Sequence, residues 1–482
     1  MGFFDTLNKV LDPDRALQAS VEALIEVAGA RYALDKSPSV YAPGAPLKLL
    51  FAGYSGTRNT GSDVRVEEMI RQVRHVLGDD ELELSITTVN PELTSGYFRT
   101  VKQLELPTIF PKFLLDTCPK NHGVIACEGS MFKSNFAGAL TTFMAGALGF
   151  ACAENKLAVG YGAEAGVMEP SLRRFVERTC KNSFVMCRNE PSRKILDQLG
   201  IRNSSGADTA WTFDPAPPER GAQLLREQGW DGVTPILAVG PVHPFWWPVK
   251  PDLLKTAALQ LSGQYRREHY KSVYFHNASS EVDRKFDAYC SAIANAVNAF
   301  RRERRVFVVM IGMEQLDRIA CEEIESRLDE RAPLFVSDEH TMYDLISVLR
   351  HSRLLVTSRF HAIVTSMPAR VASAGITIDE RIRNVMASRG HEDLYLESDD
   401  PHLEERTLTM LRRLDRDQEQ IRDDIARTIP GQLKLMGQMG IDFADEVGRV
   451  YPDFPKRDLP RTWEAHLPSM PRTLRSIMES HA

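Results

Sequence analysis

From residue 47 onward, short apolar runs alternate with longer stretches in which apolar positions recur every three to four residues. The runs are rich in branched side chains and too short for helices, while the intervals have helical spacing. This pattern predicts a succession of parallel strand–helix units. In a first series the strands are "LKLLFAG" (47–53), "LELSITTV" (82–89), "HGVIACEG" (122–129), "KLAVGYG" (156–162) and "SFVMCR" (183–188). Helical spacing covers 63–77, 135–150 and 170–180, whereas 90–121, with prolines at 91, 107 and 111, reads as an excursion from regular structure. A second series has strands at 235–240, 272–277, 305–312, 333–337, 353–358 and 370–376, with helices at 281–303 and 341–350.

Between the two series lies "FDPAPPERGAQ" (213–223), whose prolines and charges mark a linker. The predicted organisation is a helical extension (1–46), a first Rossmann-like domain (47–213), a linker (214–231), a second Rossmann-like domain (232–400), and C-terminal helices and tail (401–482). Within the last segment, 401–440 reads as helices dense in Arg, Asp and Glu, and 441–482, with five prolines, as an irregular tail. The fold class is α/β: two doubly wound domains with a cleft between them. In such sheets ligands bind beyond the carboxyl ends of the strands. Those ends carry Tyr54–Asp63, Glu128–Gly129–Ser130, Glu164 and Arg188–Asn189–Glu190 in the first domain. In the second they carry His243, His276–Asn277, Ser337–Asp338–Glu339 and Ser358–Arg359–Phe360–His361.

Composition narrows the function classes. A net charge of −6 and a pI near 6.1 give no general attraction to nucleic acid. No apolar run approaches the roughly 18 residues of a membrane span. The first residues, "MGFFDTLNKVLDPDRAL", carry acids where a secretory signal would be basic. Gly2 and Thr6 fit the short myristoylation pattern, and an amphipathic helix lying on the protein or on a membrane surface is the larger alternative. The seven cysteines form no close CxxC pair and several sit in apolar runs. Free buried thiols and a cytoplasmic location are expected, with peripheral association at the inner face of the membrane as an addition. No Cys/His spacing suggests a metal site.

Two stretches offer chemistry. The loop "GYSGTRNTGSDV" (53–64) joins a strand to a helix and fits neither the Walker nor the dinucleotide glycine pattern. It reads either as a tight turn capped by Ser62 or Asp63, or as a cradle of N–H groups for an anion or sugar hydroxyls. In "LLVTSRFHAIVTSM" (354–367) Ser358 is a natural helix N-cap, Arg359 a forked cation and His361 an acid or base near neutrality. Equally open is a packing role, in which Arg359 pairs with an acid of the other domain and His361 is a core imidazole. Trp246 and Trp247 could stack a sugar or cover the core, His276 shows no partner in the sequence, and 411–424 reads as a solvated helix face.

Taken in order, "FAGYSGTRNTGSD", "GVIACEGS", "LAVGYGAEAG", "CRNEPSRKILDQLG", "GADTAWTF" and "LLVTSRFHAIVTSMPARVA" resemble the polysaccharide pyruvyl transferase family over about residues 48–400. The resemblance implies a two-domain architecture of the GT-B glycosyltransferase type. It also implies transfer of a pyruvyl group from phosphoenolpyruvate, a co-substrate, onto two hydroxyls of a sugar or lipid-linked saccharide, with no cofactor or metal. On that reading His361 is the general acid/base and Ser358, Arg359, Arg188 and Arg381 hold the donor's anionic groups. Asn59, Gly61, Asp63, Glu128, Gly129 and Ser130 would face the acceptor. Three places depart from the usual pattern: Glu128–Gly129–Ser130 replaces a run of glycines, Asn189 an aspartate, and Arg381 a lysine. A sugar-nucleotide glycosyltransferase and a non-catalytic saccharide-binding relative are the alternatives.

Overall fold

The computed structural model describes residues 12–98, 101–134, 137–247, 249–251, 274–455 and 457–480. Gly2 and Thr6 lie outside them.

The first domain is a seven-stranded parallel sheet, β1 (Leu47–Ser55), β2 (Leu82–Thr88), β3 (Lys102–Glu105), β4 (Gly123–Ala126), β5 (Leu157–Ala163), β6 (Phe184–Cys187) and β7 (Arg202–Ser205), in the order β3-β2-β1-β4-β5-β6-β7. The described strands of the second are β8 (Ile236–Gly240), β9 (Lys250–Pro251), β10 (Tyr274–Phe275), β11 (Phe307–Gly312), β12 (Leu334–Val336), β13 (Leu354–Thr357), β14 (Ala372–Ile376) and β15 (Tyr395–Leu396). Six of them form a parallel sheet in the order β12-β11-β8-β13-β14-β15. Each order reverses once, at β1/β4 and at β8/β13, so each domain has a crevice at the carboxyl ends of those strands. Both faces of β1 are buried, with Leu47, Leu49 and Phe51 in one apolar cluster and Leu50 and Ala52 in another. Helices on both sides require this of a parallel strand, and it is why the strands read as continuous apolar runs.

The structure departs from the sequence reading in several places. The run expected as a strand at 272–277 contributes only β10 among its described residues. That strand pairs antiparallel with β9, apart from the six-stranded sheet. The interval 90–121 holds β3 and the helix Pro111–Thr117. The linker segment carries the helix Pro218–Glu227, packed on the helix Met342–Arg350 of the second domain. The tail is largely ordered: one helix runs from Gln418 through Pro430 to Val450, and another spans Arg472–Ser480.

Ile421, Ile425, Ile429, Leu433 and Met436 place a buried stripe along the long helix. It packs on β14 of the second domain and then on β5, β7 and the helix Thr60–Leu77 of the first, so it spans both. Beyond it the chain first lies on the first domain, where Gln72 donates to the carbonyl of His466 and Tyr451 to that of His122, and the helix Arg472–Ser480 then reaches Met367–Ala369 of the second. At the other terminus the helix Pro13–Ala33 covers the nearly all-apolar helix Gly138–Ala153. Among the described residues no helix is long and apolar enough to cross a membrane.

Candidate active site

The loop after β1 packs against the second domain. Asn59 caps the helix Thr60–Leu77 by accepting from the Ser62 N–H at 3.2 Å. The other domain holds this loop in place: the Thr60 N–H donates to Met313 O at 2.7 Å, and Ser337 Oγ to Arg58 O at 2.6 Å. Glu128, at the end of β4, accepts from Ser62 Oγ at 2.6 Å and from the Tyr54 N–H at 3.2 Å. Next to it Asp63 is fully buried, and neither of its oxygens has a hydrogen-bond partner among the described residues. Burial, reinforced by the charge of Glu128 and only partly opposed by Arg58, pushes the Asp63 carboxyl well above the ordinary carboxylate range.

The other groups converge from strand ends of both domains. Arg188, after β6, pairs with Asp208, after β7, and lies 3.5 Å from Glu164, at the end of β5. Its guanidinium occupies the space that a side chain at residue 129 would need, since a Cβ on Gly129 would lie 2.4 Å from Arg188 Nη2. Lys133 bridges the two domains, 2.8 Å from Glu164 and 2.7 Å from Glu380. Arg381 is gripped by Asp379, with Nε 2.9 and 2.8 Å from its two oxygens. Burial alone would raise the Asp379 carboxyl, yet Arg381 holds it down at about 2. Arg188 and Arg381 both lie over the ring of Phe360, at 5.4 and 5.3 Å from its centroid.

His361 meets the first domain directly. Its Nε2 is 3.2 Å from Asp208 Oδ2, and a Cβ on Gly61 would come within 2.3 Å of its Nδ1. Burial lowers the imidazole pKa, aided by Arg188 and Arg381 and opposed by Asp208. For Asp208, burial alone would raise the pKa, but the positive charges of His361, Arg188 and Arg65 hold it well below the usual range.

The corner around Ser358 is built differently from the sequence expectation. Ser358 does not cap the helix, which starts at Phe360 with Arg359 in the cap position and no side-chain cap. The Ser358 hydroxyl turns inward to the carbonyl of Ile376 and to Tyr289 Oη. Arg359 donates to Asp317 at 2.9 Å and Glu314 at 2.6 Å, acids of its own domain that follow β11. Trp246 stacks on His243 and on His276, each 4.3 Å away, so its ring is engaged within the protein, and Trp247 meets His276 edge-on.

A cleft of about 210 Å³ opens between the domains, lined by Arg188, Asp208 and Glu164 from one side and Phe360 and Arg381 from the other, with Thr428 and Gln432 of the long helix. A larger groove, about 700 Å³, lies at the far end of the helix Thr60–Leu77. It is remote from the strand ends, and its Arg71 is taken by Glu68 and Ser469. The smaller cleft therefore holds the convergent charged groups. Asp208 lies in the stretch "GADTAWTF" that carried the resemblance but was not singled out as a site residue, and neither was Lys133. Asp208 does follow a short strand, but "RNSS" (202–205) is too polar to read as one.

The family model for polysaccharide pyruvyl transferase matches residues 59–380, more than half of the chain and the segment that carries the cleft's strand ends. The chain belongs to the polysaccharide pyruvyl transferase family. Membership makes it a transferase with a saccharide acceptor. No curated protein matches it in sequence. Among solved structures, a putative UDP-N-acetylglucosamine 2-epimerase from Listeria monocytogenes is 12% identical, covering 86% of this chain and 99% of its own, with a TM-score of 0.52. HepE from Anabaena, solved in complex with UDP-glucose, is 10% identical, covering 83% and 100%, with a TM-score of 0.51. These likenesses show the fold: two Rossmann-like domains of the GT-B type, as this pyruvyl transferase family member's sheets display.

Proposed function

We propose that the protein transfers the three-carbon unit of phosphoenolpyruvate onto two hydroxyls of one sugar, in a surface polysaccharide or its lipid-linked precursor, forming a cyclic ketal and releasing phosphate. The observation that carries this reading is the pair of guanidinium groups, Arg188 and Arg381, meeting over Phe360 in one interdomain cleft. A small donor with a carboxylate at one end and a phosphate at the other needs two such forks.

The chemistry balances on these groups. One hydroxyl oxygen adds to C2 of the enol phosphate as a proton reaches C3 and converts the methylene to a methyl group. The second hydroxyl then attacks C2, and the bond from C2 to the phosphate oxygen breaks. One hydroxyl proton in effect ends in the methyl group and the other on phosphate, so nothing is oxidised or reduced. His361 is the group that holds and returns the proton. Asn59, Gly61, Asp63 and Glu128 are assigned to the acceptor side, where Gly61 adjoins His361. On this reading Arg188 and Arg381, which line the cleft, take the donor's anions, and Arg359, held by Asp317 and Glu314, supports the corner.

The test is ligand-dependent thermal stabilisation with phosphoenolpyruvate and, in parallel, a panel of nucleotide sugars. Phosphoenolpyruvate should stabilise the protein, and Arg188→Ala or Arg381→Ala should each raise its Kd or KM about 10–100-fold. Phosphate release should depend on a saccharide acceptor and be lost in His361→Ala. Stabilisation by nucleotide sugars alone would overturn this reading in favour of glycosyl transfer. Tight glycan binding without turnover of any acceptor would instead make the protein a saccharide-binding relative.

A further inference from the structure

Asp208 touches the imidazole of His361, and the reaction written above gives it no task. Its Oδ2 lies 3.2 Å from His361 Nε2 and 3.3 Å from Arg65 Nε, and it pairs with Arg188 Nη1 as well. Its Oδ1 accepts from the Ala210 N–H at 2.9 Å. Arg65 is fully buried and donates to the carbonyls of Cys127, Tyr161 and Gly162 at 2.7 to 2.8 Å, so the carboxylate is anchored to the ends of β4 and β5. His361 is held on its other edge, where Nδ1 faces the side-chain-free Gly61 at the start of the helix Thr60–Leu77.

We propose that Asp208 is a positioning residue that holds neutral His361 as the Nε2–H tautomer, so that the lone pair of Nδ1 points toward the acceptor loop. A carboxylate can only accept, so the imidazole nitrogen beside it must carry the hydrogen. The other nitrogen is then the basic one. The same carboxylate oxygen also holds Arg188, which couples the reach of the cation to the orientation of the base. The cations that face this pair are Arg65 from the helix Thr60–Leu77, Arg188 from the end of β6 and Arg381 from beyond β14. The tautomer stands on geometry alone; what its lone pair does in turnover rests on the pyruvyl-transfer reading.

The competing explanation is that Asp208 only neutralises the buried Arg65 and Arg188. Imidazole nitrogen NMR on histidine-labelled protein, without ligand, separates the two, with His361→Gln assigning the signals. The wild type at pH 7.5 should show His361 protonated at Nε2 and bare at Nδ1. In Asp208→Asn that preference should be lost, the imidazole should titrate at lower pH because its neighbouring anion is gone, and kcat should fall about 10–100-fold. An unchanged tautomer and titration in Asp208→Asn would reduce the residue to a counter-ion. A wild-type His361 protonated at Nδ1 would overturn the proposal even if that variant failed to fold. The tautomer and the titration are both read without phosphoenolpyruvate, so the tautomer and the donor assignment fail or survive separately.

Discussion

Asp63 carries a carboxyl group that the fold would rather keep neutral. It is buried beside Glu128 without a hydrogen-bond partner among the described residues. The unfolded chain ionises this group near pH 3.9, whereas the folded chain does so only at higher pH. A raised pKa of this kind contributes stability that is whole below the unfolded value and is lost as pH rises through the folded one. Asparagine has nothing to ionise. Asp63→Asn should therefore be the more stable protein at pH 8, by about 1–3 kcal/mol, with the difference shrinking toward pH 4. Urea melts of both proteins across that range check the sign, and a difference independent of pH would show that Asp63 is already ionised in the folded state.

At the scale of elements, the site depends on two helix starts meeting across the domain boundary. The helix Thr60–Leu77 presents Gly61, and the helix Phe360–Ser366 presents His361 against it. The first of these is pinned by a backbone hydrogen bond from Thr60 to Met313, so it has little room to retreat. A methyl group at residue 61 would sit 2.3 Å from the imidazole, well inside contact distance. Gly61→Ala should cost about 1–3 kcal/mol and lower kcat more than it raises the KM for the donor, since Arg188 and Arg381 are untouched. Denaturant melts together with steady-state phosphate release would reveal this split. A variant silent in both would mean that the two helices separate freely.

The molecule as a whole is two domains tied by a helix that spans both and by polar contacts at the mouth of the cleft. Lys133 is one such contact, held by Glu164 in its own domain and by Glu380 in the other. The Glu380 side chain is 57% exposed, so its pair with Lys133 adds little to stability. Removing it leaves Lys133 paired with Glu164. Glu380→Gln should shift unfolding by less than about 1 kcal/mol yet raise the donor KM roughly 2–10-fold, with the defect diminishing at high salt, where the wild-type pair is itself screened. Calorimetry and donor titrations at two ionic strengths measure both. A large loss of stability with unchanged KM would make the bridge a structural strut.

The sequence by itself determined the two series of buried parallel strands, because strands covered on both faces must be apolar throughout. It also determined which residues stand at their carboxyl ends, and so Gly61, Asp63, Glu128, Arg188 and His361 were legible. The β7 strand escaped because an edge strand, paired on one side only, tolerates the polar "RNSS", and with it the place of Asp208 at a strand end was missed. The order of strands within a sheet is not written in any local pattern. Only the tertiary structure brought β11 close enough to β13 for Glu314 and Asp317 to take Arg359, leaving Arg188 and Arg381 to line the cleft. A charged group's role depends on which opposite charges lie within a few ångströms, and the packing of the domains sets those distances.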